Sequence, residues 1–179
     1  ANGSTSTQNT QNVLTPEQQR EQHIDQFNRS HAATLDLDRS SALYRQISDQ
    51  CGKATTNRDM AAQKARSFEA QAKEEMDKAK SLREKAQKMV DGAEKDALMQ
   101  QANTSDKNAN DFKAKATEER NKEKENDAIV RETLKKMDDM KQERLKTMSN
   151  EDVDKIMKQT YGNNYRADQS ANRNGWSFN

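Results

Sequence analysis

The chain has 179 residues, of which 30% are apolar and 34% are charged, and its net charge is only +1. Average domains are about 45–50% apolar, whereas Leu, Ile, Val and Phe together supply only 20 residues here. That content is too low for the thick core of an α/β or all-β domain. No stretch has the run of β-branched and aromatic residues that a buried strand needs. The composition therefore favours long helices that pack along a narrow seam.

Several protein classes are also excluded by features that the sequence lacks. No apolar run approaches the roughly 18 residues that a transmembrane helix requires, so we expect no membrane span. The single cysteine, Cys51, allows neither an intrachain disulfide nor a cysteine-based zinc site. The sequence begins at Ala1 without a methionine, which fits either a removed signal peptide or methionine trimming. We expect a periplasmic or secreted protein, with a cytoplasmic location as the alternative.

Short helices are predicted near the start of the chain. Residues 1–14 form a polar leader whose composition predicts disorder. Residues 15–52 are expected to hold N-terminal helices, because Thr15–Gln18 places a good N-cap before a proline and completes a capping box. The polar stretch Asp36–Ser41 should interrupt the first helix, since its side chains compete for backbone hydrogen bonds. Gly52 is a natural residue to end the second helix.

A long helical hairpin is predicted over residues 53–148. Apolar residues recur there at alternating spacings of four and three, which is the heptad pattern of a coiled coil. The turn-favouring side chains of Asn103–Asp106 predict a reversal of the chain, so the stripes on either side should face each other. The predicted seam consists of Ala61, Ala65, Phe68, Ala72, Ala79, Leu82, Ala86, Met89, Phe112, Ala116, Val130, Leu134 and Met137.

The two halves of this hairpin resemble each other in sequence. Phe68–Lys80 aligns without gaps to Phe112–Lys124, with seven of 13 positions identical. Both a duplication and a shared helical composition explain the similarity, and the sequence leaves the two explanations open. Phe68 and Phe112 are each set among alanines, so we predict that they are the main apolar anchors of the seam.

The C-terminal region is predicted to combine a short helix with a polar tail. Residues 149–162 should form the helix, between an N-cap at Ser149 and a terminating Gly162. Residues 163–179 are polar and resemble a disordered tether, apart from the aromatic residues at its end. The tail docks on a partner or a neighbouring subunit, folds back on its own helices, or carries its aromatic residues by chance. The residues predicted to dock on a partner are Trp176, Phe178, Met140 and Met148.

The sequence predicts no enzyme, and it implies no cofactor, metal or small-molecule substrate. His23 and His31 lack the neighbouring ligands of a known metal motif. Many acidic residues precede a lysine by four positions, which is typical of solvated helix faces. Basic and acidic residues are nearly balanced along the hairpin, so it has no uncompensated positive stripe for nucleic acid. The expected partners are proteins or further copies of this chain.

The predicted fold is all-α: an elongated antiparallel helical hairpin or coiled coil with shorter flanking helices and disordered-looking polar termini. The first functional hypothesis is a structural or assembly protein of a bacterial cell envelope or surface appendage, acting through helix–helix contacts. A second is a holdase-type chaperone that grips clients between helical arms. A third is a secreted effector or surface ligand that binds a partner protein. The identity of any partner and the oligomeric state do not follow from the sequence.

Overall fold

The computed structural model describes residues 13–165, which form an all-α fold. Two long helices make the predicted antiparallel hairpin, and a shorter helix flanks each of them in the chain. Their bounds are Pro16–Ser40 for α1, Ala42–Gln87 for α2, Ala93–Thr147 for α3 and Asn150–Tyr161 for α4. The predicted fold class is confirmed. Trp176 and Phe178 lie outside the described residues, as do residues 1–12 of the leader and 166–179 of the tail.

The ends of the two short helices are set by the residues that the sequence indicated. At the start of α1, Thr15 Oγ1 accepts from the Gln18 backbone and the Gln18 side chain accepts from the Thr15 backbone. Ser149 and Asp152 form the same reciprocal pair at the start of α4. The helix then ends at Gly162, whose positive φ of 87° suits a residue without a Cβ. Local capping chemistry therefore fixes these boundaries.

The predicted reversal at Asn103–Asp106 is wrong, because these residues lie inside α3. Their polar side chains are satisfied in the helical conformation: Arg83 of α2 donates to both Asn103 and Asp106. The chain instead reverses at 88–92, between the end of α2 and the start of α3. Met89, a predicted seam residue, lies in this turn.

The predicted helix end at Gly52 is also wrong, since α2 runs without a break from Ala42 to Gln87. Two threonines in this region donate their hydroxyls back to helix carbonyls four residues earlier: Thr55 to Cys51 and Thr56 to Gly52. The break was predicted over Asp36–Ser41, but in the structure it comprises one residue. Ser41 alone separates α1 from α2, and its hydroxyl accepts from the backbone of Tyr44.

Contacts divide the chain into two compact units, which we describe separately. The hairpin unit comprises residues 48–135, and therefore parts of α2 and α3. The bundle unit comprises residues up to 47 and from 136 onward, of which 13–47 and 136–165 are described. It contains α1, α4, the start of α2 and the end of α3.

The hairpin unit is packed mainly through alanine. Large apolar side chains are mostly half-buried or exposed there, whereas small residues are almost fully enclosed and let the helix backbones approach closely. The buried small residues are Ala54, Ala61, Ala62, Ala65, Ala72, Ala79, Ala86, Ala102, Ser105, Ala109, Ala116 and Thr133. Val130 is the one larger apolar residue that is buried in this unit's described residues.

Ring contacts and ion pairs define the register between the two helices of the hairpin unit. The Phe68 and Phe112 rings stack with their centroids 6.3 Å apart, and Arg120 Nε lies 2.9 Å from Glu69 Oε1. These contacts join residues of α2 and α3 across the seam, where the two largest side chains of the hairpin seam meet each other.

The bundle unit is packed through larger side chains. Ile24 and Met157 are among its most enclosed residues. The core cluster joins α1 to α4 and to the end of α3, and Leu35 and Leu145 pack against its edge. Its members are Ala32, Ala33, Met148, Val153, Ile156, Met157 and Tyr165. This core holds α1 and α4 side by side and so positions the candidate site.

Candidate functional site

A cleft of about 910 Å³ opens in the bundle unit, between the first half of α1 and the start of α4. We call it the acidic cleft, because four of its five charged lining residues are carboxylates. Those charged residues are Glu17, Glu21, Asp25, Arg29 and Asp154. The volume lies in the range typical of ligand sites.

The acidic residues of α1 line up because of helix geometry. Glu17, Glu21 and Asp25 are four positions apart, so they lie on one face and advance about 6 Å at each step. The adjacent face of α1 is apolar and packs into the core of the bundle unit, with Ile24 buried. Burial of that face therefore fixes the carboxylate stripe along one wall of the cleft.

Arg29 joins the cleft to the end of α3. Its Nη2 donates to the carbonyl oxygens of Leu145 and Met148, each at 2.6 Å. These carbonyls belong to the last turn and end of a helix, where backbone acceptors lack intrahelical partners. On the opposite wall, Asp154 accepts a hydrogen bond from the Tyr165 hydroxyl. Arg29 thus links α1 to the end of α3.

Asn28 is the unusual residue of the cleft. It lines the cavity, is only 1% exposed, and neither its Nδ2 nor its Oδ1 has a hydrogen-bond partner among the described residues. An unsatisfied buried polar group costs about 1–3 kcal/mol. The side-chain amide is thus enclosed beside the acidic cleft with its donor and its acceptor unsatisfied.

A row of aromatic rings lies on α1 and α4 in the same unit. The His31 ring stacks on Phe27 with centroids 5.6 Å apart and on Tyr161 with centroids 5.8 Å apart. Partial burial lowers the pKa of His31, which favours the neutral ring. His31 Nε2 lies 2.6 Å from the Tyr161 hydroxyl and accepts a hydrogen bond from it in the neutral tautomer that carries its proton on Nδ1. Phe27 and Tyr161 are 40% and 50% exposed, so this aromatic row is accessible to a partner.

The predicted seam residues fall into three groups in the structure. All six alanines and Val130 are buried, while the larger side chains except Leu134 are half-buried. The buried group is Ala61, Ala65, Ala72, Ala79, Ala86, Ala116 and Val130. The half-buried group is Phe68, Leu82, Met89, Phe112 and Met137.

Leu134 is the third group. Its prediction as a seam residue is wrong, because its side chain is 53% exposed. The neighbouring Thr133 is buried in its place. The Thr133 hydroxyl donates to carbonyls within its own helix, those of Ile129 and Val130. That bonding satisfies the polar atom, so the threonine can occupy the core position that hydrophobicity alone assigned to leucine.

Within its described part, the structure does not bring the predicted docking residues together. Met148 is only 3% exposed and belongs to the core cluster of the bundle unit, so its prediction as a docking residue is wrong. Its position at the junction of α3 and α4 explains this burial. Met140 is half-buried, and Trp176 and Phe178 lie beyond the described residues.

The two histidines and the cysteine that were considered as metal ligands do not form a common site among the described residues. His23 is exposed on α1, whereas His31 belongs to the aromatic row. Cys51 is a half-buried free thiol in α2. Within residues 13–165, no group of three or more His, Cys, Asp or Glu side chains is placed to hold a metal ion. None of the helices in this range combines the length and apolar character needed to cross a membrane.

Sequence reasoning missed the acidic cleft, although part of its pattern is visible in the sequence. Glu17, Glu21 and Asp25 recur every four residues, and Asn28 follows on the same helix. That α4 packs beside them depends on tertiary contacts. No family model, curated protein or solved structure matches the chain.

Proposed function

We propose that the protein is a structural or assembly protein that acts through helix–helix contacts, in a bacterial cell envelope or a surface appendage. The observation that carries the proposal is the packing of the hairpin unit. Its two helices are held face to face by alanines and joined by ion pairs such as Arg58–Asp127 and Arg83–Asp106. A helix pair that is ordered in advance loses less conformational entropy when it associates.

The aromatic row of the bundle unit supplies an apolar contact for a partner helix. Phe27 and Tyr161 are accessible, and their rings are oriented by stacking on His31. Aromatic side chains contribute a disproportionate share of binding free energy at protein interfaces. The partner is a helix of another protein or of a second copy of this chain. A periplasmic or secreted location remains a prediction.

The holdase and effector hypotheses receive less support from the packing. A chaperone that grips clients between the two hairpin helices needs their facing surfaces to be accessible. In the hairpin unit those surfaces contain the buried alanines. A secreted effector or surface ligand would use the same aromatic row, and it stays an alternative prediction.

Size-exclusion chromatography with light scattering tests the proposal on the full chain at increasing concentration, alone and with cell-envelope extract. We expect a stable oligomer or a complex of fixed stoichiometry. The double substitution Phe27→Ser with Tyr161→Ser should abolish that species, because it removes the exposed rings. The matched control is Leu43→Ser with Met60→Ser, which removes exposed apolar side chains elsewhere.

A chain that stays monomeric and forms no stoichiometric complex would contradict the proposal. Equal loss of assembly in the control variant would contradict the assignment of the aromatic row. Suppressed aggregation of reduced insulin, without any fixed complex, would favour the holdase hypothesis instead. Circular dichroism of each variant shows whether the helices are intact before assembly is compared.

A further inference from the structure

The chain leaves α4 beside the aromatic row of the bundle unit. Tyr161 is both the last residue of α4 and one end of the row. Tyr165, four residues later, is 2% exposed in the core cluster of the same unit, and its hydroxyl donates to Asp154. Four residues span at most about 14 Å. The segment that follows Tyr165 therefore starts close to the row.

The row presents an apolar surface that further aromatic side chains can cover. Phe27 and Tyr161 are 40% and 50% exposed, although both stack on His31. The ring centroids follow one another at 5.6 and 5.8 Å. Aromatic rings attract one another beyond what the burial of their area contributes. A row of oriented and accessible rings thus favours aromatic side chains as its occupants.

Two aromatic residues of the chain lie within reach of this row. Residues 166–175 are polar apart from two alanines and a glycine, and they lead to Trp176 and Phe178. Trp176 comes eleven residues after Tyr165, a length that spans up to about 36–40 Å. Trp176 and Phe178 are two positions apart, and alternate side chains of an extended segment point to one side about 6.5–7 Å apart. That spacing is close to the step between the rings of the row.

We propose that Trp176 and Phe178 dock on the aromatic row of their own chain and so compete with a partner helix for it. Attachment within one chain favours this occupant over a second copy, because a short tether gives an effective concentration on the order of millimolar. A partner must then displace the two aromatic side chains, so its apparent affinity falls with the fraction of chains in which the row is open. The competition rests on the proposed function, whereas the docking itself does not.

Fluorescence of the full chain tests the docking, because Trp176 is the single tryptophan. At concentrations where light scattering shows a monomer, we expect blue-shifted emission and slow quenching by acrylamide, both independent of protein concentration. Phe27→Ser with Tyr161→Ser should weaken the docking equilibrium about tenfold, since it removes both exposed rings. Tyr161→Phe retains the ring and should change this equilibrium by less than about twofold. The two single serine variants replace the double variant if circular dichroism shows a loss of helix.

The matched control is Leu43→Ser with Met60→Ser, which removes exposed apolar side chains from α2. Emission and quenching should stay unchanged in this control, and a change equal to that of the row variant would overturn the assignment to the row. Unchanged emission in the row variants would overturn it as well.

The unsubstituted chain supplies two further outcomes. Emission typical of a fully hydrated indole in the monomer would overturn the docking. A blue shift that appears only as an oligomer forms would overturn docking within one chain and would favour exchange of this segment between copies.

Trp176→Ser with Phe178→Ser tests the competition. If the row is open in about a tenth of the chains, these substitutions should strengthen assembly about tenfold in light scattering. Unchanged assembly would overturn the competition. A chain that stays monomeric with and without the two aromatic side chains would contradict the proposed function and the competition that rests on it, while the fluorescence decides the docking separately.

Discussion

The hairpin unit and the bundle unit bury their helices with different side chains. In the hairpin unit, alanines such as Ala65 and Ala79 are almost fully enclosed, and the phenylalanines are half-buried. In the bundle unit, Ile24 and Met157 are enclosed. The first unit therefore depends on close approach of two backbones, and the second depends on side-chain volume. The bundle unit should therefore be sensitive to truncation of a core side chain, and the hairpin unit to its enlargement.

The largest effect is expected from truncation in the bundle unit. Met157→Ala should lower the free energy of unfolding by about 3 kcal/mol, because it removes a fully buried side chain and leaves a cavity. Urea unfolding followed by circular dichroism measures the change, and hydrogen exchange locates it on α1 and α4. Met60→Ala, at an exposed position, should change stability by less than about 0.5 kcal/mol. Equal effects of the two substitutions would contradict the contribution of Met157 to the core of the bundle unit.

The second largest effect on stability is expected when a core side chain of the hairpin unit is enlarged. Ala79→Leu should lower the free energy of unfolding by about 2 kcal/mol, because the added atoms force the helices apart. Ala70→Leu places the same side chain on an exposed position of α2 and serves as the matched control. Tolerance of leucine at both positions would show that the seam is loose and that alanine is not required there.

The stacked phenylalanines should have a smaller effect, because their side chains are half-buried. Phe68→Ala should cost about 1.5 kcal/mol, roughly half of what complete burial implies. A double-mutant cycle with Phe112→Ala should give a coupling free energy of about 1 kcal/mol, since the rings contact each other. Additive losses would mean that the rings act independently. Lys115 Nζ lies over both rings, at 5.8 and 5.7 Å, and Lys115→Met should reduce the coupling.

The smallest expected effect is a pH dependence of the stability of the bundle unit. Burial lowers the pKa of His31, whereas an unfolded chain binds that proton near the ordinary value of about 6.5. The unfolded state therefore binds the proton more readily, and the free energy of unfolding should fall as the pH is lowered from about 7.5 to about 5.5. His31→Gln should remove that slope, whereas His23→Gln should retain it. Urea titrations at several pH values measure the slope.

The carboxylates of the hairpin unit should affect stability in a lower pH range than His31. Hydrogen bonds from Arg120 and Arg83 lower the pKa values of Glu69 and Asp106, respectively. Their stabilising contribution is present above the unfolded pKa and is lost only as the pH falls through the lower folded value. A pH slope that persists above about 6 in the His31→Gln variant would contradict its assignment to this histidine.

Local chemistry determined which features could be predicted from the sequence. The capping boxes at Thr15 and Ser149 involve residues three positions apart, so their pattern is visible without a structure. The heptad spacing likewise predicted a hairpin. The turn was misplaced because the polar side chains of Asn103 and Asp106 bond to Arg83, a partner in another helix. Such a partner can be identified only once the register is known.

The acidic cleft was missed for a similar reason. The carboxylate stripe of α1 is periodic, but charge at four-residue spacing is common on solvated helices. Its significance comes from α4, which packs alongside, and from the burial of Asn28 without a hydrogen-bond partner. Burial depends on the whole fold. Hydrophobicity alone also misassigned Leu134, because the hydroxyl of Thr133 is satisfied within its own helix.

The alanine packing of the hairpin unit has a consequence for its heat capacity. Unfolding raises the heat capacity in proportion to the apolar surface that becomes hydrated, and an alanine contributes little of that surface. The hairpin unit should thus have a smaller heat-capacity change per residue than the bundle unit. Its stability should vary more gently with temperature, with a lower maximum and weaker cold destabilisation. Its helix pair would then persist in cold conditions that weaken a conventional apolar core.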